Sequence, residues 1–335
     1  MGQYWTIYDL DNRVRFMYLG NLGEGLFAAT DIPIALITRY TARKPHIVVD
    51  YVNGSRGLFK LPPELICMIL ESIDRLHDAI AFVMTSKMVY TLGFTHVQGR
   101  LIERTFPSCG SRIVCLGDHA QDDDLPDGIT SEDLAEVAIW KKSHPTFSGS
   151  PHGYKTYASE SFLSSSSPQY ETIPSNLVRK YWIKDLRRDN NLLSGPWLEA
   201  LDELMNLSTP RGERVLCNLT KREYVDGPKA KGMVKYRIGS DIEDLLGVIL
   251  RCKICWSSDP SISMSYNPGD SIHRGKWAAD RFEVTSKDRL VSLIETGKKE
   301  WKDITKEAVG EVEDAWKAFW ALYSDEDDED GDGDD

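Results

Sequence analysis

Two cysteines in this chain have a spacing that could bind metal or exchange disulfides. Cys252 and Cys255 form a Cys-x-x-Cys pair, which is found in zinc sites and in redox motifs. No second cysteine pair and no histidine pair follows at zinc-finger spacing. We therefore interpret the two cysteines as small apolar residues of a buried strand over 249–256. We expect no metal and no cofactor.

A glycine-rich loop and two histidines are the remaining candidates for chemistry. Five residues separate the two glycines before Lys276, whereas a phosphate-binding loop has four, so we expect no nucleotide site. His119 lies in an acidic loop, and His273-Arg274 lies close to Asp280-Arg281. A lone loop histidine is more often solvated than catalytic. We name a candidate ligand loop and predict no enzyme, with catalysis at this loop as an alternative: His273, Arg274, Asp280 and Arg281.

The charge distribution argues against nucleic acid as a partner. The chain has 335 residues and a formal charge of −12, but the segment 325–335 alone contains nine carboxylates. The rest of the chain is therefore almost neutral and has no basic excess to neutralise phosphates. The acidic segment has no apolar residue to bury, so we predict a disordered tail.

No segment predicts a membrane or secretory destination. The first residues lack a basic-then-apolar signal pattern, and the longest apolar runs are far too short to span a bilayer. Met1-Gly2 and Thr6 formally match a myristoylation pattern, but Trp5 favours the start of a buried strand. We expect a protein of the cytoplasm and/or the nucleus.

Two stretches predict the same β-hairpin. Residues 4–16 are rich in aromatic and β-branched types around an Asp-Asn turn, and residues 215–225 align with residues 6–16. The alignment contains two identities, Leu10 with Leu219 and Arg13 with Arg222. After each hairpin come an apolar helical stretch, a strand and an amphipathic helix, at 19–27, 109–118 and 131–140 and again at 238–250, 278–287 and 289–295. We predict an α+β fold in which two related halves form one body.

The remaining segments predict a linker and further helices. Residues 146–175 are rich in serine and proline, which favours a flexible linker. Helices are predicted at 175–188 and 196–206. A long amphipathic helix ends the second half, and its apolar stripe consists of Val309, Val312, Trp316, Phe319, Trp320 and Tyr323.

The stretch Leu61–Gly93 has a regular pattern of its own. Leu-Pro-Pro-Glu opens a helix, because proline is tolerated in the first turn. Apolar residues then recur at helical spacing, with Ile66 and Leu70 widening the stripe of Leu65, Ile69 and Ile73. Asp78 could cap a second helix, and Thr85-Ser86-Lys87 begins a third short one.

This stretch of about 35 residues resembles the F-box family. The leading Leu-Pro, the first amphipathic helix and the Ala-x-x-x-Thr-Ser-Lys segment carry the resemblance, while Tyr90 stands where many F-boxes have tryptophan. The resemblance implies docking onto the Skp-type adaptor of a cullin–RING ubiquitin ligase. The adaptor-binding residues that it implies are Leu61, Pro62, Pro63, Leu65, Ile69, Leu70 and Ile73. The alternative is an ordinary helical hairpin within a core.

Most of the chain is also similar to F-box-like proteins of mushroom-forming (basidiomycete) fungi. The likeness lies in residues 1–5, the F-box, 117–126, 218–224, 255–261 and 273–277. It supports the F-box interpretation and adds no chemistry. It implies a substrate receptor that binds an unknown protein target, with a non-ligase scaffold protein as the alternative.

We predict six segments from these patterns. The first α+β half starts at 1–60, is interrupted by the F-box at 61–105, and continues at 106–145. The linker is 146–175, the second half is 176–323 and the acidic tail is 324–335.

Overall fold

A computed structural model gives the fold of this chain. It describes residues 3–27, 32–46, 57–105, 108–144, 153–164, 195–207, 213–236, 242–260, 272–297 and 300–324. The chain divides into two compact units. The first unit consists of Met1–Thr38, Ser108–Ser167 and Arg211–Asp335, and the second of Arg39–Pro107 and Pro168–Pro210.

A mixed sheet forms the centre of the first unit. Its strands are β1 (Tyr4–Asp9), β2 (Val14–Asn21), β3 (Arg112–Gly117), β4 (Leu163–Ser164), β5 (Arg214–Asn218), β6 (Glu223–Asp226), β7 (Cys255–Trp256), β8 (Asp280–Ser286) and β9 (Lys302–Asp303). The order across the sheet is β4-β2-β1-β3-β8-β5-β6-β9, and β7 pairs with β3 beside this path. The two hairpins lie on opposite sides of a central β3–β8 pair.

Helices complete both units. Those of the first unit are α1 (Leu22–Phe27), α2 (Ile32–Ile37), α6 (Ser131–Ser143), α7 (Tyr154–Ser161), α9 (Gly227–Met233), α10 (Ile242–Ile254), α11 (Lys287–Thr296) and α12 (Thr305–Ser324). The second unit contains a 3-10 turn at Gly57–Lys60, then α3 (Pro63–Glu71), α4 (Leu76–Val83), α5 (Lys87–Thr105) and α8 (Gly195–Met205). Helices and strands therefore occur in an α+β arrangement, as predicted.

The two hairpins turn in the same way. In the first, Asp9 Oδ1 accepts hydrogen bonds from the backbone N–H groups of Asp11 and Asn12, at 3.0 and 2.9 Å. In the second, Asn218 Oδ1 accepts from the Lys221 N–H at 2.9 Å. Each turn ends at an arginine with a left-handed backbone, Arg13 at φ 54° and Arg222 at φ 58°. The sequence identity of these arginines thus marks an equivalent conformation.

The centre of the sheet has the hydrogen-bond pattern of a two-fold axis. Arg112 of β3 lies directly opposite Arg281 of β8, and these two residues are equivalent in the repeat. Across the axis, Gly110 N donates to Phe282 O at 2.7 Å, and Ala279 N donates to Ile113 O at 2.9 Å. Gly110 and Ala279 both have positive φ, at 90° and 62°. The match in register and dihedral angles supports the predicted internal repeat.

Each half also reaches across to the other. Thr38, at the end of α2, forms a parallel bridge with Val284 of β8. In the same way β7, at the end of α10, pairs in parallel with β3 through Cys255 and Cys115. The first half thus contacts β8 of the second half, and the second half adds β7 beside β3 of the first half. The two halves therefore form one body.

Strand alternation divides the core between two faces. One face buries Trp5 and Ile7 against α1, α2, α9, α10 and α12 in one large cluster. The other face buries Tyr8 and Val114 under α6 and α7. On the second half of that face, α11 covers only a small cluster. In α12, Trp316 and Phe319 of the predicted aromatic stripe pack against Phe27, and the side chains of Trp320 and Tyr323 lie outside the described residues.

Several elements differ from the sequence-based predictions. The predicted strand over 249–256 is the last part of α10, followed by two strand residues, because its apolar residues serve a helix buried on most sides. The third helix of the 61–93 stretch is not short, as predicted, but runs over Lys87–Thr105. The second helix begins at Leu76, so Asp78 lies in its first turn and is not its cap. The flexible linker predicted at 146–175 is wrong where the structure describes it, because 153–164 form α7 and β4 and bury Tyr154 and Tyr157 in the core. The helix predicted at 175–188, the rest of the linker and residues 325–335 lie outside the described residues.

A difference in segment boundaries concerns α8. The sequence placed this helix in the second half, whereas it belongs to the second unit and packs on α5. Its contacts with α5 are long-range in sequence, so no local pattern predicted them.

The two turns generate a prediction about pH. Asp9 is fully buried, and burial raises its pKa despite the bonds from Asn12. A carboxyl with a raised folded pKa contributes most to stability below the ordinary value near 4, and the contribution is lost as pH rises through the folded pKa. Asp9→Asn copies the residue at position 218 and does not titrate. We therefore expect the free energy of unfolding of Asp9→Asn minus that of the parent to increase as pH rises above about 4. Urea unfolding at a series of pH values measures this difference.

The reciprocal variant is the control for this prediction. Asn218 is buried, and its Nδ2 donates to Asp280 Oδ2 at 2.8 Å. Asn218→Asp should therefore introduce a loss of stability that grows with pH. A difference between Asp9→Asn and the parent that does not change with pH would contradict this account of the turn.

Candidate functional site

The first helix of the 61–93 stretch begins at its prolines. Pro62 is the N-cap of α3, with φ −53° and ψ 148°, and Pro63 occupies the first helical position. Proline suits this position because its fixed φ fits the first turn and its missing N–H has no intrahelical acceptor. At the other end, the Ser72 hydroxyl donates to Ile69 O at 2.7 Å. The sequence alone therefore sets where this helix starts.

The apolar residues of α3 divide between a buried face and an exposed face. Ile66 and Leu70 are 1% and 2% exposed and face the interior of the second unit. Leu65 and Met68 are 42% and 61% exposed, and Ile69 is half-buried beside them. At 100° per residue these three form one stripe along the helix. We call Leu65, Met68 and Ile69 the α3 stripe.

The buried face of α3 is fixed by close packing on α5. A Cβ at Gly93 would lie 2.9 Å from Leu70 Cδ2 and 2.5 Å from Val83 Cγ2, so glycine allows the three helices to approach. From α5, Arg100 donates to Ile73 O at 2.6 Å and to Asp74 O at 2.5 Å. These contacts hold α3 in place and leave the α3 stripe to solvent.

Tyr90 anchors α5 to α8. Its hydroxyl lies 3.0 Å from both Ala200 O and Glu203 Oε2, and these two acceptors share its single proton. Burial raises the pKa of Tyr90, and the Glu203 carboxylate raises it further. Tyr90 is therefore a buried hydrogen-bond donor.

The predicted adaptor-binding residues do not form one surface. Pro62, Pro63 and Leu65 are exposed, and Leu61, Ile69 and Ile73 are half-buried. Leu70 is buried against α5, so it does not present a surface to a partner. The sequence-based prediction combined the exposed and the buried face of α3, because it added Leu70 to the stripe of Leu65, Ile69 and Ile73. It also missed Met68, although the spacing of three from Leu65 could have indicated it.

In the first unit, Arg274 of the candidate ligand loop is tied to the opposite half. Its guanidinium pairs with both carboxylate oxygens of Asp124, with Nη1 to Oδ1 at 2.5 Å. It also stacks on the Trp256 ring, 4.7 Å from the ring centroid. The hydrogen bonds and charge of Arg274 lower the pKa of Asp124. Paired in this way, Arg274 links two loops.

The structure brings the two histidine loops together. His119 Nδ1 lies 3.6 Å from Asp259 Oδ2, and Gln121 N donates to Ser258 Oγ at 2.9 Å. Burial and the adjacent Arg274 lower the pKa of His273. The loops that follow β3 and β7 therefore contact each other, which no local sequence pattern indicates.

Asp280 and Arg281 serve different contacts, although they are adjacent in sequence. Asp280 is buried and accepts from Asn218 and from Lys221 Nζ, the latter at 2.9 Å. Arg281 Nη1 donates to Asp11 Oδ2 at 2.6 Å at the two-fold axis. The four predicted loop residues thus do not converge on one point.

A cavity of about 680 Å³ lies in the first unit beside this region. Arg274 and Asp280 line it, but His273 and Arg281 do not. Its other walls come from 126–128, the β5–β6 turn, α10, α12 and segment 275–278. These residues are up to 181 positions apart in sequence (126 to 307), so spacing could not have predicted the cavity.

The cysteines of the Cys-x-x-Cys pair are buried. Burial raises the pKa of Cys252 to about 12. The pKa of Cys255 is raised by burial and by its hydrogen bond with Cys115. Thiols with raised pKa values stay protonated at neutral pH and are poor nucleophiles. In the part of the chain that the structure describes, no group of three or more His, Cys, Asp or Glu side chains could hold a metal ion.

Comparisons with known proteins do not assign the chain to a family. No protein-family model, no curated protein and no solved structure matches it. The F-box resemblance therefore stays a prediction made from the residues. Among the described residues, no helix has both the length and the apolar character to cross a membrane.

The anchoring of α5 to α8 can be tested at Tyr90. Tyr90→Phe removes the hydroxyl and leaves the Ala200 carbonyl and the Glu203 carboxylate without this donor. We expect the free energy of opening of α8 to fall by about 1–2 kcal/mol, as measured by native-state hydrogen exchange. Tyr18→Phe, at an exposed tyrosine, is the matched control and should change nothing. Unchanged exchange in Tyr90→Phe would contradict the anchoring role.

Proposed function

We propose that this protein is a substrate-recognition subunit of a Skp–cullin–F-box ubiquitin ligase. In this proposal the second unit binds a Skp-type adaptor through α3, and the first unit binds the target protein. The single observation that supports it most is the α3 stripe. Three apolar side chains lie on one helix face, next to exposed Pro62 and Pro63, while the opposite face of the helix is packed.

The physical basis is recognition of a helix in a groove. An exposed apolar stripe with spacings of three and four residues is the pattern that fits a hydrophobic groove on a partner. A few such anchors supply most of the binding energy of an interface, each on the order of 2 kcal/mol. The buried contacts of Ile66 and Leu70 position the helix in advance, so docking requires little ordering.

A receptor of this kind does no bond chemistry. It acts by tethering, which raises the effective concentration of the target's lysines near the ubiquitin-charged enzyme. The proposal includes an intracellular location, in the cytoplasm or the nucleus, where such ligases act.

A non-ligase scaffold protein is the second candidate. No family model, curated protein or solved structure matches the chain, so the comparisons do not favour a ligase over a scaffold protein. In that case the α3 stripe would bind a different protein, and the Skp-type adaptor would not co-purify with the chain.

The docking proposal predicts the effect of truncating the α3 stripe. Leu65→Ala combined with Met68→Ala removes two exposed anchors. We expect binding to the adaptor to weaken at least about 30-fold, as measured by titration calorimetry or by co-purification. Because both side chains are exposed, the thermal unfolding of the chain should change little.

A matched control lies on α6 of the first unit. Leu134 and Ile139 are 40% and 67% exposed, so Leu134→Ala with Ile139→Ala removes a similar exposed apolar area. This variant should bind the adaptor as the parent does. If truncation of the α3 stripe leaves adaptor binding intact, the docking proposal is wrong. If the parent protein does not bind the adaptor, the scaffold candidate is favoured.

A further inference from the structure

The cavity of the first unit is large enough for a ligand side chain or a small molecule. Its volume of about 680 Å³ falls within the range of ligand pockets. Both halves contribute walls, with the loop after β3 on one side and the β5–β6 turn and segment 274–280 on the other. Trp256 and Trp277 add aromatic surface.

Every cationic side chain that lines the cavity already has a carboxylate partner. Lys253 is the most buried of them, at 2% side-chain exposure, and its ammonium also lies 5.3 Å from the centroid of the Trp277 ring. The pairs are Lys221–Asp280 at 2.9 Å, Lys253–Glu311 at 2.7 Å, Lys276–Glu307 at 2.9 Å and Arg274–Asp124. These cations are therefore compensated within the protein.

Two lining carboxylates have no cationic partner among the described residues. Glu223 Oε2 accepts a hydrogen bond from Trp277 Nε1 at 2.6 Å, and its second oxygen accepts none from the described part of the chain. Asp127 is exposed at the wall of the same cavity and pairs with no described group. Once the paired charges are set aside, the cavity has an excess of two carboxylates.

We propose that this cavity binds a positively charged group, a guanidinium or an alkylammonium. Such a group donates charge-assisted hydrogen bonds to the free oxygens of Glu223 and Asp127. The half-buried Trp256 supplies an aromatic wall for its aliphatic part. The inference goes beyond the proposed function, because it concerns a site in the first unit and does not depend on adaptor docking.

The experiment uses the full chain and a pair of probes that have nearly the same shape but differ in charge. N-acetyl-arginine amide carries a guanidinium, and N-acetyl-citrulline amide is its neutral near-isostere. We expect calorimetry to show saturable binding of the arginine probe, and at least about tenfold weaker binding of the citrulline probe.

Two conservative variants locate the site. Glu223→Gln keeps an acceptor for the Trp277 indole, and Asp127→Asn alters an exposed side chain, so both should fold as the parent does. Each variant should weaken the binding of the arginine probe about tenfold. Glu295→Gln, at an exposed carboxylate of α11 outside the cavity, is the matched control and should have no effect.

The source of the cationic group is distinguished by a third probe, a heptapeptide with one central arginine among alanines. Tighter binding of the peptide than of the amide assigns the site to a basic side chain of a partner protein. Equal binding assigns it to a free small molecule. The proposal is overturned if the arginine probe shows no saturable binding up to about 10 mM, if both amides bind equally, or if neither variant weakens binding. The variants leave α3 intact, so adaptor binding tests the proposed function separately.

Discussion

The first unit depends on one antiparallel contact at the centre of its sheet, where β3 meets β8. Arg112 and Arg281 lie opposite each other there, and like charges at this position would repel. Asp11 prevents this, because it accepts from Arg112 Nε at 2.8 Å and from Arg281 Nη1 at 2.6 Å. Burial opposes the ionisation of Asp11, yet both arginines together hold its pKa below the ordinary value. One carboxylate thus compensates two arginines where the strands of the two halves meet.

Around this contact, each half of the repeat contributes a segment that pairs with a strand of the other half. The end of α2 bridges β8 and β7 pairs with β3, so neither half completes its own sheet. In the first half, the chain between Thr38 and β3 contains residues 39–107, which belong to the second unit. In the second half, the corresponding connection, 257–279, contributes walls of the cavity. Equivalent positions of one duplicated scaffold therefore carry the two surfaces to which we assign binding.

The sequence predicted those features that depend on neighbours along the chain. Both hairpins, the repeat and the start of α3 follow from turn residues, aromatic and β-branched patterns and the Pro-Pro pair, and the structure contains them. Features that depend on distant partners were missed. The 249–256 segment was assigned as a strand because a short apolar run fits either a strand or a buried helix. The pairing of Arg274 with Asp124, the packing of α8 on α5 and the cavity all join residues far apart in sequence. Leu70 shows the same limit at short range, since periodicity does not reveal which side of a helix another helix covers.

The position of β8 in the sheet has a consequence for synthesis on the ribosome. β3 ends at residue 117, but its central partner begins at residue 280. At about 5–20 residues per second, roughly ten to thirty seconds pass between the emergence of the two strands. Until β7 at Cys255–Trp256 has also emerged, the inner edge of the first three strands lacks both strands that pair with it, and an unpaired edge is open to association with other chains. Newborn chains should therefore need protection by chaperones late in translation, at a stage when much of the sequence has already left the exit tunnel.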